Sequence, residues 1–194
     1  IVVTLCLVRY KHMKSLTTKQ ITYIALFSVL IAIGAFIKLP ISIVPITLQT
    51  LFVVLAGLVL GKVYAPIAVL VYILVGLIGL PVFSTGGGPS YIFYPSFGYL
   101  IGFVFGAYIV GRLANDTSSI LRNFMICVLG MFVIYAFGMA YFIFIQYVYY
   151  GKVFEASWVL YFLFLVYLPG DLLSCFVASL LYKRLPRIQI KRKG

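Results

Sequence analysis

Three acids (Asp116, Glu155, Asp171) and one histidine (His12) stand among 194 residues. General acid–base catalysis calls for a second titrating group beside the first, and these are far apart in sequence. Metal sites call for clustered His, Cys, Asp or Glu, and no such spacing occurs. No G-x-x-x-x-G-K-S/T phosphate loop is present. Cys6, Cys127 and Cys175 are odd in number and sit in apolar stretches, so they read as small buried residues, not as a disulfide framework. Neither catalysis nor a metal or cofactor is expected.

Binding chemistry is better supplied. Asp171 lies in the apolar stretch Leu168-Pro169-Gly170-Asp171-Leu172-Leu173. A carboxylate at the centre of a bilayer costs at least about 2.5–3.5 kcal/mol, so it normally faces the bundle interior or a wet cavity. Ser174 and Cys175 follow at i+3 and i+4 and Ala178 at i+7, a small or polar stripe on one helical face. The stripe reads either as a ligand site or as a close-packed helix seam. The run Val44-Pro45-Ile46-Thr47-Leu48-Gln49-Thr50 places a glutamine and two threonines in the outer turns of another span. Threonines often satisfy themselves on the i−4 carbonyl, whereas Gln49 needs partners for its carbonyl and its amide. Gln49 is thus a site residue or a structural one. Between Pro81 and Tyr94, Gly86-Gly87-Gly88 permits unusual dihedrals and close approach to a ligand. With Tyr91 and Tyr94 beside it, this segment reads as a lid or as a plain connection. Gly98, Gly102 and Gly106 repeat at i+4 as a small-residue seam, and Ser28 and Ala32 make a shorter one. Helix–helix contact within the chain is the default for both.

The elements that carry these residues must be membrane helices. The chain is 64% apolar, 9% charged and 18% aromatic, with a mean hydropathy of +1.18. Soluble domains are about half apolar and a quarter charged, and a chain this long buries only about 70% of its unfolded surface. The expected fold class is an all-α integral membrane protein, a bundle of six transmembrane helices at roughly 20–38, 43–61, 63–81, 95–114, 123–150 and 157–182. Pro45 suits a first helical turn, Gly61-Lys62 closes the second span and Leu80-Pro81 ends the third. Asn115-Asp116-Thr117-Ser118-Ser119 is a polar turn with capping residues. Tyr147, Tyr149, Tyr150 and Trp158 are expected in the headgroup belt.

The net charge of +12 is placed between apolar spans and at both ends, a pattern that suits anionic lipid better than nucleic acid. With six spans, only Lys38 and Lys152 of the 15 basic residues face the side opposite the termini. The positive-inside rule then puts both termini in the cytoplasm. The domains expected are a basic tail at 1–19, a membrane domain at 20–182 and a basic cytoplasmic tail at 183–194. Ile1 to Val8 is too short to span, and the basic cluster after it is the wrong order for a signal peptide. Met13-Lys14-Ser15 would make an ordinary start, so residues 1–12 read as a candidate upstream extension.

Several stretches taken in order resemble the BioY family, the biotin-specific substrate-binding (S) component of energy-coupling-factor (ECF) transporters. They include Ala25-Leu26-Phe27 with Leu30-Ile31-Ala32, and the run VPITLQTL from Val44 to Leu51. Gly76-Leu77-Ile78-Gly79-Leu80-Pro81-Val82-Phe83 and the glycine loop follow. Pro95-Ser96-Phe97-Gly98-Tyr99-Leu100-Ile101-Gly102-Phe103 and Leu168-Pro169-Gly170-Asp171-Leu172 complete the set. The resemblance covers about 20–182.

The resemblance implies a six-helix protein of the bacterial cell membrane that binds biotin in an outward-opening pocket. It implies docking onto a transmembrane coupling subunit with two ATPase subunits, through small residues on the first helix, here Ser28 and Ala32. The usual residue at position 28 is alanine. Ligand contacts would fall to Asp171, Gln49, Thr47, Thr50, Ser174, Gly87, Gly88, Tyr91 and Tyr94. The family's last helix typically carries a lysine three residues after the aspartate, where this chain has Ser174. Asp171 can still accept ureido N–H groups. Lys38, Lys152 or tyrosine hydroxyls remain for the valerate carboxylate. The alternatives are the same architecture tuned to lipoate or dethiobiotin, and an autonomous carrier or channel without ATPase partners.

Overall fold

The computed structural model describes residues 16–39, 46–115, 119–151, 153 and 155–185. Helix α1 (Thr18–Phe36) begins at a capping box: the Thr17 hydroxyl accepts from the Gln20 N–H, and the Gln20 side chain accepts from the Thr17 N–H. These contacts satisfy two of the donors that a helix start leaves open. A short antiparallel ribbon follows, β1 (Lys38–Leu39) on β2 (Ile46–Thr47), with Lys38 opposite Thr47. Helix α2 spans Gln49–Leu77 and is interrupted at Gly61, whose φ of 77° and ψ of −175° fall in a region essentially reserved for glycine.

That interruption is a reversal. The Gln49 amide donates to the Tyr72 hydroxyl at 2.8 Å across 23 positions, which a straight helix would hold about 34 Å apart. Segments 49–60 and 62–77 therefore fold back on one another. A 3-10 turn (Pro89–Phe93) leads to α3 (Phe97–Leu113). Helix α4 (Ile120–Val148) starts under a Ser119 cap, as the polar turn before it predicts. The last stretch is α5 (Ala156–Leu160), a π turn at Tyr161–Leu165 and α6 (Leu168–Arg184). Among the described residues, four stretches are long and apolar enough to cross a membrane: Thr18–Phe36, Gln49–Leu77, Ile120–Val148 and Ser157–Arg184. Phe97–Leu113 is a shorter apolar helix.

Several boundaries differ from those expected. The helix expected from 43 starts at Gln49, because Ile46 and Thr47 pair with β1; Thr47 is a strand residue, not part of a helical turn. The expected end at 81 falls at Leu77, where the chain turns back through a Phe83–Gly86 bridge. The final span is not one regular helix. Its π turn precedes Pro169, which lacks an N–H and is tolerated in the first turn of α6. Tyr147, Tyr149 and Tyr150 are exposed, whereas Trp158 is half-buried and stacks on Phe142 and Phe162. Pro45, Asp116, Lys152 and the segments 1–12 and 186–194 lie outside the described residues.

Lipid is as apolar as leucine, so helices in a membrane associate through close packing more than through the hydrophobic effect. The glycines supply that closeness. A Cβ at Gly102 would stand 2.7 Å from the Ile134 carbonyl oxygen, and one at Gly106 would stand 2.7 Å from the Ile134 side chain. The 98/102/106 seam therefore binds α3 to α4. Gly57 meets Val110 in the same way and binds α3 to α2. On α1, the Ser28 hydroxyl bonds the carbonyls of Ile24 and Ala68 at 2.8 and 2.7 Å. Ser28 is only 7% exposed, so it belongs to an internal seam, and of the expected docking pair only Ala32 is partly accessible.

Candidate ligand-binding cleft

A cleft opens between α2, α3, α4 and α6, with about 500 Å³ of empty space counting its open mouth. Helix α3 forms one wall with Ser96, Tyr99, Leu100 and Phe103. Their spacing of i, i+3, i+4 and i+7 is one helical face. Ile134 and Tyr135 of α4, with Tyr167 and Asp171, complete the lining. Thr47, Gln49 and Thr50 enter from the end of the ribbon and the first turn of α2, and Ser84 and Tyr91 from the glycine-containing loop.

Asp171 is 5% exposed, on the buried face that also carries Ser174, Cys175 and Ala178. The Tyr135 hydroxyl donates to its Oδ2 at 2.6 Å, and the Thr50 side chain lines the same cleft. One neutral donor holds the carboxylate, and it keeps acceptor capacity, since a carboxylate offers about four lone-pair positions. The Tyr99 hydroxyl donates to the Leu163 carbonyl in the π turn at 3.0 Å. Its ring stands edge-on to Tyr135 and parallel to Tyr167. Three tyrosines thus form a rigid wall around the acid.

Gln49 is 4% exposed, and both its functions are engaged. Its Oε1 accepts from Thr47 at 3.2 Å and its Nε2 donates to Tyr72, whose hydroxyl passes the chain on to the Val82 carbonyl at 3.2 Å. That chain ties the ribbon, both halves of α2 and the loop together at the mouth. The loop is a fixed structure. Phe83 is buried against Tyr72 and Tyr91, and the Gly88 N–H donates to the Gly76 carbonyl at 2.8 Å. Gly86 and Gly88 hold φ of 130° and 104°, and Gly87 packs directly on the Leu80 main chain.

The cleft brings together Asp171, Gln49, Thr47, Thr50 and Tyr91. It does not bring in Ser174, which is buried one turn beyond Asp171, or Gly87 and Gly88, which shape the loop, or Tyr94, which is exposed and stacks on Tyr91. Lys38 donates to the Ser84 carbonyl and does not line the cleft. Lys152 lies outside the described residues. Sequence reasoning passed over Ser84, Ser96, Tyr99, Tyr135 and Tyr167. With 33 tyrosines and phenylalanines in the chain, no single ring stands out, although the 96/99/100/103 periodicity was available as a signal.

A bundle of apolar helices around a polar, tyrosine-walled cleft defines a multi-pass membrane protein. The sequence profile of the BioY family matches residues 10–191. A probable biotin transporter BioY from Lysinibacillus sphaericus is 44% identical over 131 residues, 66% of this chain and 67% of its own. The biotin transporter BioY of Thermotoga maritima is 37% identical over 175 residues, 90% of this chain and 99% of its own. The crystal structure of the S-component for biotin from an ECF-type ABC transporter superposes with a TM-score of 0.72 at 26% identity, covering 88% of this chain and 94% of that one. The chain belongs to the BioY family.

Proposed function

We propose that this chain is the biotin-binding S component of an ECF-type vitamin uptake transporter, a binding and transport subunit with no catalytic step of its own. The observation that carries the reading is Asp171, a buried acid with acceptor capacity lining the cleft of an otherwise apolar bundle. A ureido ring supplies the N–H donors that such an acid accepts by charge-assisted bonds. Lipoate has no N–H in its ring, so it would leave that acid unmatched; dethiobiotin keeps the ureido group.

Six crossings with both termini in the cytoplasm are part of the proposal. The reversal at Gly61 divides α2 into two of them. The packing of Gly111 on the Gly61–Lys62 main chain supports one basic end of the bundle, with Arg112 beside Lys62. The cleft mouth lies at the opposite end and would open outward. Energy would come from two ATPase subunits through a transmembrane coupling subunit seated on α1, where Val29, Ile33 and Phe36 are exposed beside Ala32.

Mass spectrometry of the purified chain, followed by calorimetric titration with biotin, dethiobiotin and lipoate, tests the reading. Biotin carried through purification and binding about one to one without ATP are expected. Lipoate binding with no response to biotin would overturn it.

A further inference from the structure

Away from the cleft, three cations converge where α2, α3 and α4 meet. A Cβ on Gly111 would stand 2.6 Å from the Lys62 main-chain nitrogen. The reversal in α2 is therefore pressed against the end of α3, and Lys62 and Arg112 are neighbours. Arg122, in the first turn of α4, completes the group. With the Asn115 amide turned so that both its ends are satisfied, its NH2 donates to the Ala114 carbonyl at 3.0 Å. Its oxygen then accepts from Nη2 of Arg122 at 3.2 Å. Asn115 stands three positions after Arg112, so this bond draws Arg122 to the end of α3.

All three cations are exposed. Among the described residues the acids are Glu155, before α5, and Asp171 in the cleft, and neither pairs with these cations. Asp116 follows Asn115 in sequence, outside the described residues, and can neutralise one cation at most.

Next to the cations the surface turns apolar in a graded order. Phe105, Tyr108 and Arg112 follow at i, i+3 and i+7, one face of α3, and all three are exposed. The Arg112 guanidinium donates to the Tyr108 hydroxyl at 3.3 Å, which leaves the phenol's own O–H to give. Phe105 stacks on Phe137 of α4 with centroids 4.5 Å apart. Seven residues of helix rise about 10 Å, enough to pass from a headgroup layer about 5–7 Å thick into hydrocarbon. On α4, exposed Leu121, Met125 and Leu129 continue the apolar surface from Arg122.

A soluble anion needs the cations alone, whereas a phosphate carried on acyl chains uses the whole stripe. Guanidinium forks match phosphate oxygens, the phenol suits the membrane–water interface, and the rings and aliphatic side chains meet the tails. We propose that Lys62, Arg112 and Arg122 bind the phosphate of one anionic phospholipid, whose chains lie along the surface of Phe105 and Met125. The site is separate from the cleft and independent of the molecule bound there.

Native mass spectrometry tests it, with the purified chain titrated by phosphatidylglycerol and by phosphatidylcholine of the same acyl chains. One phosphatidylglycerol should be retained about tenfold or more over phosphatidylcholine, because each cation near an anionic headgroup contributes about fivefold. Arg112→Gln and Arg122→Gln should each weaken that adduct about fivefold. The pair Lys183→Gln and Arg184→Gln, at the end of α6, removes two charges elsewhere and should leave it unchanged. Thermal midpoints near wild type show that a variant has folded, and each single arginine variant gives a reading where a combined one fails to fold. Equal retention of the two lipids, or equal weakening by the corner and the α6 variants, would overturn the site and leave only net charge. Inorganic phosphate held in its place at equal concentration would make it a free-anion site and overturn the lipid. Lost copurification with the coupling subunit in Arg112→Gln, with lipid retention unchanged, would give the cations to a protein partner and overturn it too.

Discussion

The Tyr135 hydroxyl stands 2.6 Å from Oδ2 of Asp171, joining α4 to α6 at the floor of the cleft. Where the BioY resemblance leads one to expect a lysine, one turn beyond the aspartate, the chain has a buried serine, and the acid's close partner comes from a different helix. The pair gives Asp171 a fixed orientation through a neutral donor. Tyr135→Phe retains the ring and removes the donor. A hydrogen bond to a charged group is worth about 1.5–3 kcal/mol, and biotin affinity should fall about tenfold or more. In a cycle with Asp171→Asn the two effects should be strongly non-additive, and simple additivity would show that Tyr135 does not act through the acid.

The Gln49–Tyr72 bond should govern stability more than affinity. Gln49→Leu leaves the Tyr72 hydroxyl short of a donor in a buried position, at a cost of about 1–3 kcal/mol. Adding Tyr72→Phe should cost less than the sum of the single changes. Thermal unfolding in detergent measures both, and equal, independent losses would contradict the coupling.

Gly102 and Gly170 should respond oppositely to alanine. A Cβ at Gly102 meets the Ile134 main chain at 2.7 Å, while one at Gly170 meets nothing within 4 Å. Gly102→Ala should destabilise the bundle by about 1–3 kcal/mol. Gly170→Ala in α6 should be neutral or stabilising by up to about 1 kcal/mol. Unfolding midpoints report both directions.

Docking on α1 separates two small residues. Ser28→Trp inserts a ring where the hydroxyl touches the Ala68 carbonyl, so the folded yield should collapse and biotin binding with it. Ala32→Trp should keep biotin affinity while reducing copurification with the coupling subunit. Undiminished copurification of Ala32→Trp would move the docking surface elsewhere.

The apolar spans, the glycine seam and Asp171 were all legible in the sequence, because each is a rare residue or a period against a uniform background. Asp171 stands out as an acid in a greasy run, and Gly98, Gly102 and Gly106 stand out by their spacing. The tyrosine wall was not legible. Tyr99, Tyr135 and Tyr167 differ from exposed Tyr147 or Tyr161 only in their tertiary neighbours. The ribbon hid for another reason: Ile46 and Thr47 are as compatible with a helix start as with a strand until Lys38 pairs opposite. Ser28 read by default as a helix–helix contact within the chain, which its bond to the Ala68 carbonyl fits; only the family resemblance implied docking there.

The central claim is that Asp171 receives the ligand's N–H groups, and calorimetric titration of biotin into Asp171→Asn tests it most directly. Asparagine keeps the size, loses the charge and turns donors toward ligand donors. The account predicts a protein that folds and inserts but binds biotin about 30- to 5000-fold more weakly, equivalent to roughly 2–5 kcal/mol. Wild-type affinity in a well-folded Asp171→Asn sample would contradict it.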